Sequence, residues 1–161
     1  FILLPFLWKN MGYKPFYIGM ALFLFIFAGG IGSLISSSIE KRIGAANVFY
    51  ISMISTLPLM LLFIMTYRTH PTISLAVFVV MGFITMMATP VTMLMAQNVL
   101  PEYKSIISGF INGFSWGIVA IAMSLLGFIA EKFGITNVLL FVAVIPAACS
   151  VLVRELFKEN N

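Results

Sequence analysis

Charged residues punctuate this chain, and the intervals between them dictate what it can become. Residues 15–39, 43–67, 69–101, 105–130 and 133–153 contain no Asp, Glu, Lys or Arg. A helix rises about 1.5 Å per residue, so about 20 apolar residues cross the hydrocarbon core of a bilayer. Each interval is long enough. Strands of a closed barrel would be shorter and would alternate in polarity, which these intervals do not. A soluble domain carries about 25% charged residues, whereas this chain has 9% against 61% hydrophobic. The solvent around most of it must be lipid.

The predicted fold class is therefore all-α, a polytopic transmembrane helix bundle. Five complete spans are expected at about 15–39, 45–67, 72–100, 105–130 and 135–153. The opening piece, 1–7, is apolar but too short to cross, and no basic region precedes it as in a signal peptide. It reads as the end of a truncated span, and the chain as a fragment of a longer one. The connections are short, which makes successive helices antiparallel neighbours. They are Glu40-Lys41-Arg42, Arg68-Thr69-His70-Pro71, Pro101-Glu102-Tyr103-Lys104 and Glu131-Lys132. One membrane face then collects Lys41, Arg42, Lys104, Arg154 and Lys158, and the other Lys9, Lys14, Arg68 and Lys132. The positive-inside rule favours the first face as cytoplasmic. Trp8, Tyr13, Tyr17, Tyr67 and Tyr103 stand near span ends, where aromatic belts form.

Several function classes drop out. The basic residues are scattered singly, so no nucleic-acid stripe exists. With one cysteine, Cys149, and one histidine, His70, in a loop, disulfides and thiolate metal sites are excluded within the chain. Neither a hydrolase constellation nor a phosphate-binding glycine loop is present, so no enzyme, metal or cofactor is expected. No ionisable side chain lies deep in any span, although proton and ion sites in membranes usually need one.

What remains is small residues, kinks and a few amides. Gly109, Gly113 and Gly117 recur every four residues and share one helix face. Such a face lets another backbone approach closely. It serves either packing alone or sliding during a conformational cycle. Gly29 and Gly32, with Ser33, Ser36 and Ser37, form a second small-residue group. Pro90 predicts a kink, with Thr89 and Thr92 able to satisfy freed carbonyls; the bend is either structural or lines a cavity. Asn112 and Trp116 need polar partners in mid-membrane and face either a substrate path or a packed interface. Gln97 is either a cavity residue or an interfacial one.

Two segment ends repeat one another. Ser37-Ser38-Ile39-Glu40-Lys41-Arg42-Ile43-Gly44 and Gly127-Phe128-Ile129-Ala130-Glu131-Lys132-Phe133-Gly134 both close glycine-rich spans, on opposite membrane faces. Inverted repeats of three helices are common in transporters. The second copy resembles the loop signature of the major facilitator superfamily, Gly-x-x-Ala-Asp/Glu-Arg/Lys-x-Gly, at Gly127, Ala130, Glu131, Lys132 and Gly134. The first departs from it. Aligned on Arg42 and Gly44, it has Lys41 in the acid position and Ser37 in the glycine position, with Glu40 one residue early. Pro90-Val91-Thr92, Ala96-Gln97, Leu100-Pro101 and Ser108-Gly109 through Gly113-Phe114 further resemble the carboxyl-terminal half of fosmidomycin-resistance-type efflux proteins.

The resemblance implies helices eight to twelve of a twelve-helix transporter, with Phe1 to Leu7 ending helix seven. It implies a multi-pass protein of the bacterial inner membrane with a cytoplasmic carboxyl terminus. A missing amino-terminal six-helix bundle would be its partner, and a small-molecule substrate would pass between the two as they rock. The function expected is secondary active transport, as proton-coupled efflux of small molecules or drugs by an antiporter, with coupling mainly in the missing half. A sugar or metabolite transporter of the same superfamily, or a non-transporting scaffold, are the alternatives.

Overall fold

The computed structural model describes residues 3–158, with side chains through 150. Phe1, Ile2 and the side chains of the basic residues Arg154 and Lys158 lie outside the described residues. The described chain is a helical bundle: α1 (Leu4–Asn10), α2 (Pro15–Ile43), α3 (Ala45–Thr66), α4 (Pro71–Met86), α5 (Ala88–Val99), α6 (Lys104–Phe133) and α7 (Ile135–Lys158). Pro15 and Pro71 open α2 and α4, where a missing N–H costs nothing.

Among the described residues, four rods are long and apolar enough to cross a membrane: Pro15–Ile43, Ala45–Thr66, Pro71–Val99 and Pro101–Phe133. A shorter apolar stretch, Ile135–Ser150, opens α7. The interval 72–100 is α4 and α5, whose hydrogen-bond ladder is interrupted at Met87, three residues before Pro90, while the dihedrals of Met87 stay helical (φ -61°, ψ -29°). Pro58 and Pro146 instead lie inside continuous helices, α3 and α7.

The main packing runs α2 on α4, and α3 on both α4 and α7. Aromatic rings fill the centre. Trp8 is 1% exposed, and its ring meets Phe78 at 5.2 Å and Phe63 at 5.9 Å, edge to face in both cases. Phe25 stacks on Phe78 at 4.5 Å. Edge-to-face and offset stacks suit the ring quadrupole. Trp8 and Tyr67 therefore belong to the bundle core, not to a lipid-facing belt; proximity to charge in sequence did not distinguish the two. Tyr103 is exposed.

Of α6's residues, only Ala130 is buried. This helix touches α5 and α7 and otherwise presents Phe110, Phe114, Trp116, Ile121 and Leu125 outward. Exposed apolar side chains on this scale suit lipid or a membrane-embedded neighbour.

Candidate functional site

The broken span is held by α2 through glycines. A Cβ at Gly32 would collide with the Phe83 carbonyl. At Gly29 it would lie 2.6 Å from Met86 Cγ and 3.2 Å from the Gly82 carbonyl oxygen. At Gly82, on α4, it would lie 2.5 Å from the Phe25 carbonyl oxygen. The two backbones thus touch directly, the packing that small residues permit in lipid.

The break itself has an identifiable chemistry. Pro90 cannot donate to the Met86 carbonyl, four residues earlier. Ser33 on α2 takes that role: its Oγ donates to Met86 O at 2.9 Å. Thr92 donates to Ala88 O at 2.8 Å, within α5. Thr89 is exposed and makes no hydrogen bond among the described residues, so the carbonyl left by Pro90 is served from another helix. Ser33 was visible in the sequence only as one small residue among several. Its spacing to the proline, across more than fifty residues, carried no signal.

Removing that hydroxyl is expected to destabilise the α2–α4 contact. Ser33→Ala should cost about 0.6–2 kcal/mol, the range of interhelical hydrogen bonds in membranes. Thermal unfolding in detergent should show a midpoint lower by about 1–8 °C. An unchanged midpoint would mean that the Met86 carbonyl finds another donor.

At the far end of α5, Gln97 Nε2 donates to Ser108 Oγ at 2.7 Å. Ser108 Oγ donates to Lys104 O at 2.8 Å, and Asn112 Nδ2 to Ser108 O at 3.1 Å. Gln97 and Asn112 are thereby brought together through Ser108, across the α5–α6 turn. Trp116, further along α6, is 62% exposed.

Gly109, Gly113 and Gly117 differ from the glycines of α2. A Cβ at any of them meets nothing within 4 Å. Close approach of another helix at Gly113, the expectation from its spacing, does not occur among the described residues. The reason is the placement of α6, whose neighbours α5 and α7 do not reach the glycine stripe.

The two loop motifs share a backbone shape. Gly44 (φ 86°, ψ 153°) and Gly134 (φ 85°, ψ 142°) adopt almost the same conformation, which excludes ordinary side chains. The N–H of each closes the preceding helix, Gly44 onto Glu40 O at 2.7 Å and Gly134 onto Ala130 O at 3.0 Å. Three residues on, Asn47 Nδ2 donates to Ile43 O at 2.7 Å and Asn137 Nδ2 to Phe133 O at 2.9 Å. Val48 and Val138 follow and are both buried. The repeat is therefore longer than the loop signature and includes Gly-x-x-Asn-Val in both copies. The sequence spacing of the two asparagines already carries this longer repeat.

The charged members of the motifs make no ion pair among the described residues. Lys41 and Arg42 are exposed. Lys132 lies over the Phe128 ring, 4.5 Å from its centroid. Glu131 borders a cavity of about 460 Å³ that is also lined by Gly127, Ala130 and Gly134, and by Phe6 and Asn10 of α1. Among the described residues, no three of His, Cys, Asp and Glu come together as a metal site.

These features are those of a membrane bundle with one span interrupted beside a proline and a duplicated loop corner. The sequence profile of the Major Facilitator Superfamily matches residues 1–161. The chain belongs to the major facilitator superfamily. Members of this superfamily are transporters rather than enzymes. Within it, the chain is 32% identical over 126 residues to the fosmidomycin resistance protein of Escherichia coli (strain K12), covering 78% of this chain and 30% of that protein. It is 26% identical over 125 residues to the uncharacterized MFS-type transporter YfnC of Bacillus subtilis (strain 168), with the same coverage. The chain thus spans about a third of the length of these major facilitator relatives. No solved structure gives a significant match.

Proposed function

We propose that this bundle is the carboxyl-terminal half of a secondary active transporter that works by alternating access, as proton-coupled efflux of a small molecule. The observation that carries the reading is the broken span clamped to α2. Direct backbone contact at Gly29, Gly32 and Gly82 joins α2 and α4, and the interrupted ladder at Met87 is where the span would flex, with α5 itself packed on α2 and α3. Rocking of one bundle against the other around a fixed site is how such transporters expose that site to each side in turn.

In this reading the partner is a six-helix amino-terminal bundle, and the outward face of α6 meets it. Gly109, Gly113 and Gly117 give a smooth contact there. Thr89, Thr92, Gln97, Asn112 and Trp116 border the substrate path. The protein is multi-pass in a bacterial inner membrane, in keeping with its bacterial relatives. The Glu40–Arg42 end and the carboxyl terminus are cytoplasmic. The efflux direction and drug-like substrate draw on the likeness to the fosmidomycin resistance protein.

The test uses Glu131, one of the acids at the loop corners. No ionisable residue lies deep in the spans, so this half alone does not supply a midplane proton site; a buried charge there costs roughly 2.5 kcal/mol or more. Glu131→Gln in the intact transporter should change the rate while transport still responds to an imposed pH gradient in proteoliposomes. A variant that exchanges substrate but ignores the gradient would make Glu131 the proton site and refute this division of labour.

A further inference from the structure

We propose that the end of the bundle where α1, α3 and α6 finish carries a binding site for a phosphate group. A cavity of about 270 Å³ opens there between α1, the end of α3 and the start of α7. Water occupies about 30 Å³ per molecule in the liquid, so this space holds a phosphate together with the first carbons of whatever bears it. The site is independent of the transport reading above.

The cavity's cation is presented on a fixed support. Arg68 Nε donates to the Tyr67 hydroxyl at 2.7 Å, and its guanidinium carbon lies 5.4 Å from the centroid of the same ring. Arg68 itself is exposed, but the ring that holds it is packed in the core, Tyr67 being only 4% exposed. With Nε engaged, the two terminal nitrogens remain, and Arg68 has no carboxylate partner among the described residues. A planar guanidinium fork matches phosphate oxygens bidentately.

The facing walls add neutral donors. Asn10 and Thr136 both line the cavity, and neither side chain is hydrogen-bonded among the described residues. Gly134 contributes no side chain, and a Cβ there would meet nothing within 4 Å. Leu7, Met11 and Ile135 make the remainder apolar, which suits the carbon skeleton of a phosphate ester. The surroundings favour an anion. The connections at this end carry Lys9, Lys14, Arg68 and Lys132 against the single acid Glu131, which borders an adjoining cavity that shares Asn10, Gly134 and Ile135 with this one. The phosphate could belong to an anionic lipid headgroup or be free in solution; both present the same oxygens to Arg68.

The full chain, purified in phosphate-free maltoside micelles, would be titrated separately with short-chain phosphatidylglycerol and with inorganic phosphate. Binding would be followed by thermophoresis. Saturable one-site binding of at least one probe is expected. Saturation by the lipid alone identifies a headgroup site, and saturation by inorganic phosphate identifies a site for free phosphate. Arg68→Gln should weaken binding about tenfold or more, as loss of a charge-assisted hydrogen bond does. Thr136→Val should weaken it severalfold, and this tests the same cavity should the arginine variant fold poorly. Lys132→Gln, at the same end but outside the cavity, should change it less than about twofold. Absence of saturable binding by both probes would overturn the proposal. So would a Lys132→Gln effect as large as that of Arg68→Gln, because diffuse charge would then account for the binding.

Discussion

Replacing Gly32 by leucine is expected to remove most folded protein from the membrane. A single carbon at this position already collides with the Phe83 carbonyl, and a backbone carbonyl cannot swing aside as a flexible side chain can. Overpacking costs about 1–3 kcal/mol where side chains can adjust, and here α2 and α4 must separate instead. The variant should lose about 10 °C or more of thermal midpoint, or fail to accumulate. Gly113→Leu provides the contrast. Nothing lies within 4 Å of a Cβ there, so the folding of this bundle should be unchanged. In the intact transporter, transport should fall, because the leucine would obstruct the proposed contact with the other half. Equal stability losses at the two glycines would contradict the α2–α4 assignment.

Trp8→Ala should be nearly as severe. The ring is 1% exposed and meets Tyr17, Phe63 and Phe78, so it ties α1 to α2, α3 and α4. In water-soluble cores, truncating a buried tryptophan costs about 3–5 kcal/mol. In a bilayer the lower part of that range applies, about 3 kcal/mol, because lipid is itself apolar and only the cavity and lost contacts remain. Trp116→Ala, on the exposed face of α6, should leave the midpoint nearly unchanged. Differential scanning in detergent checks both; a similar loss in each variant would mean that α6 is as tightly packed as the centre.

The contrast between Trp8 and Trp116 shows where sequence reasoning reached and where it stopped. Helix positions were readable because lipid forbids charge over a whole span, and because Pro15, Pro71, Gly44 and Gly134 mark helix ends chemically. Which face meets which neighbour was not readable. Gly109, Gly113 and Gly117 have the more regular spacing, yet the close contact falls at Gly29, Gly32 and Gly82. Periodicity reports that a face is smooth, whereas contact requires a partner at the same depth, and that is a property of two helices together. Trp8 and Tyr67 followed the same logic, standing beside charges in sequence but turned inward by packing. At the site, the kink at Pro90 was legible from one residue, while Ser33, which satisfies the carbonyl left by it, lies on a different helix.

Whether this bundle alternates access to a path between two halves can be tested by cysteine accessibility without knowledge of the substrate. Single cysteines would replace Thr92, Asn112 or Trp116 in the intact transporter, in a Cys149→Ser background, and meet a membrane-impermeant maleimide in right-side-out and inverted vesicles. A cysteine at His70 would report the orientation, reacting from outside if the Glu40–Arg42 end is cytoplasmic. Path positions should react from both sides, since each compartment reaches them in turn. Path cysteines that react from neither side would show a permanently packed scaffold, and reaction from one side alone would contradict alternation.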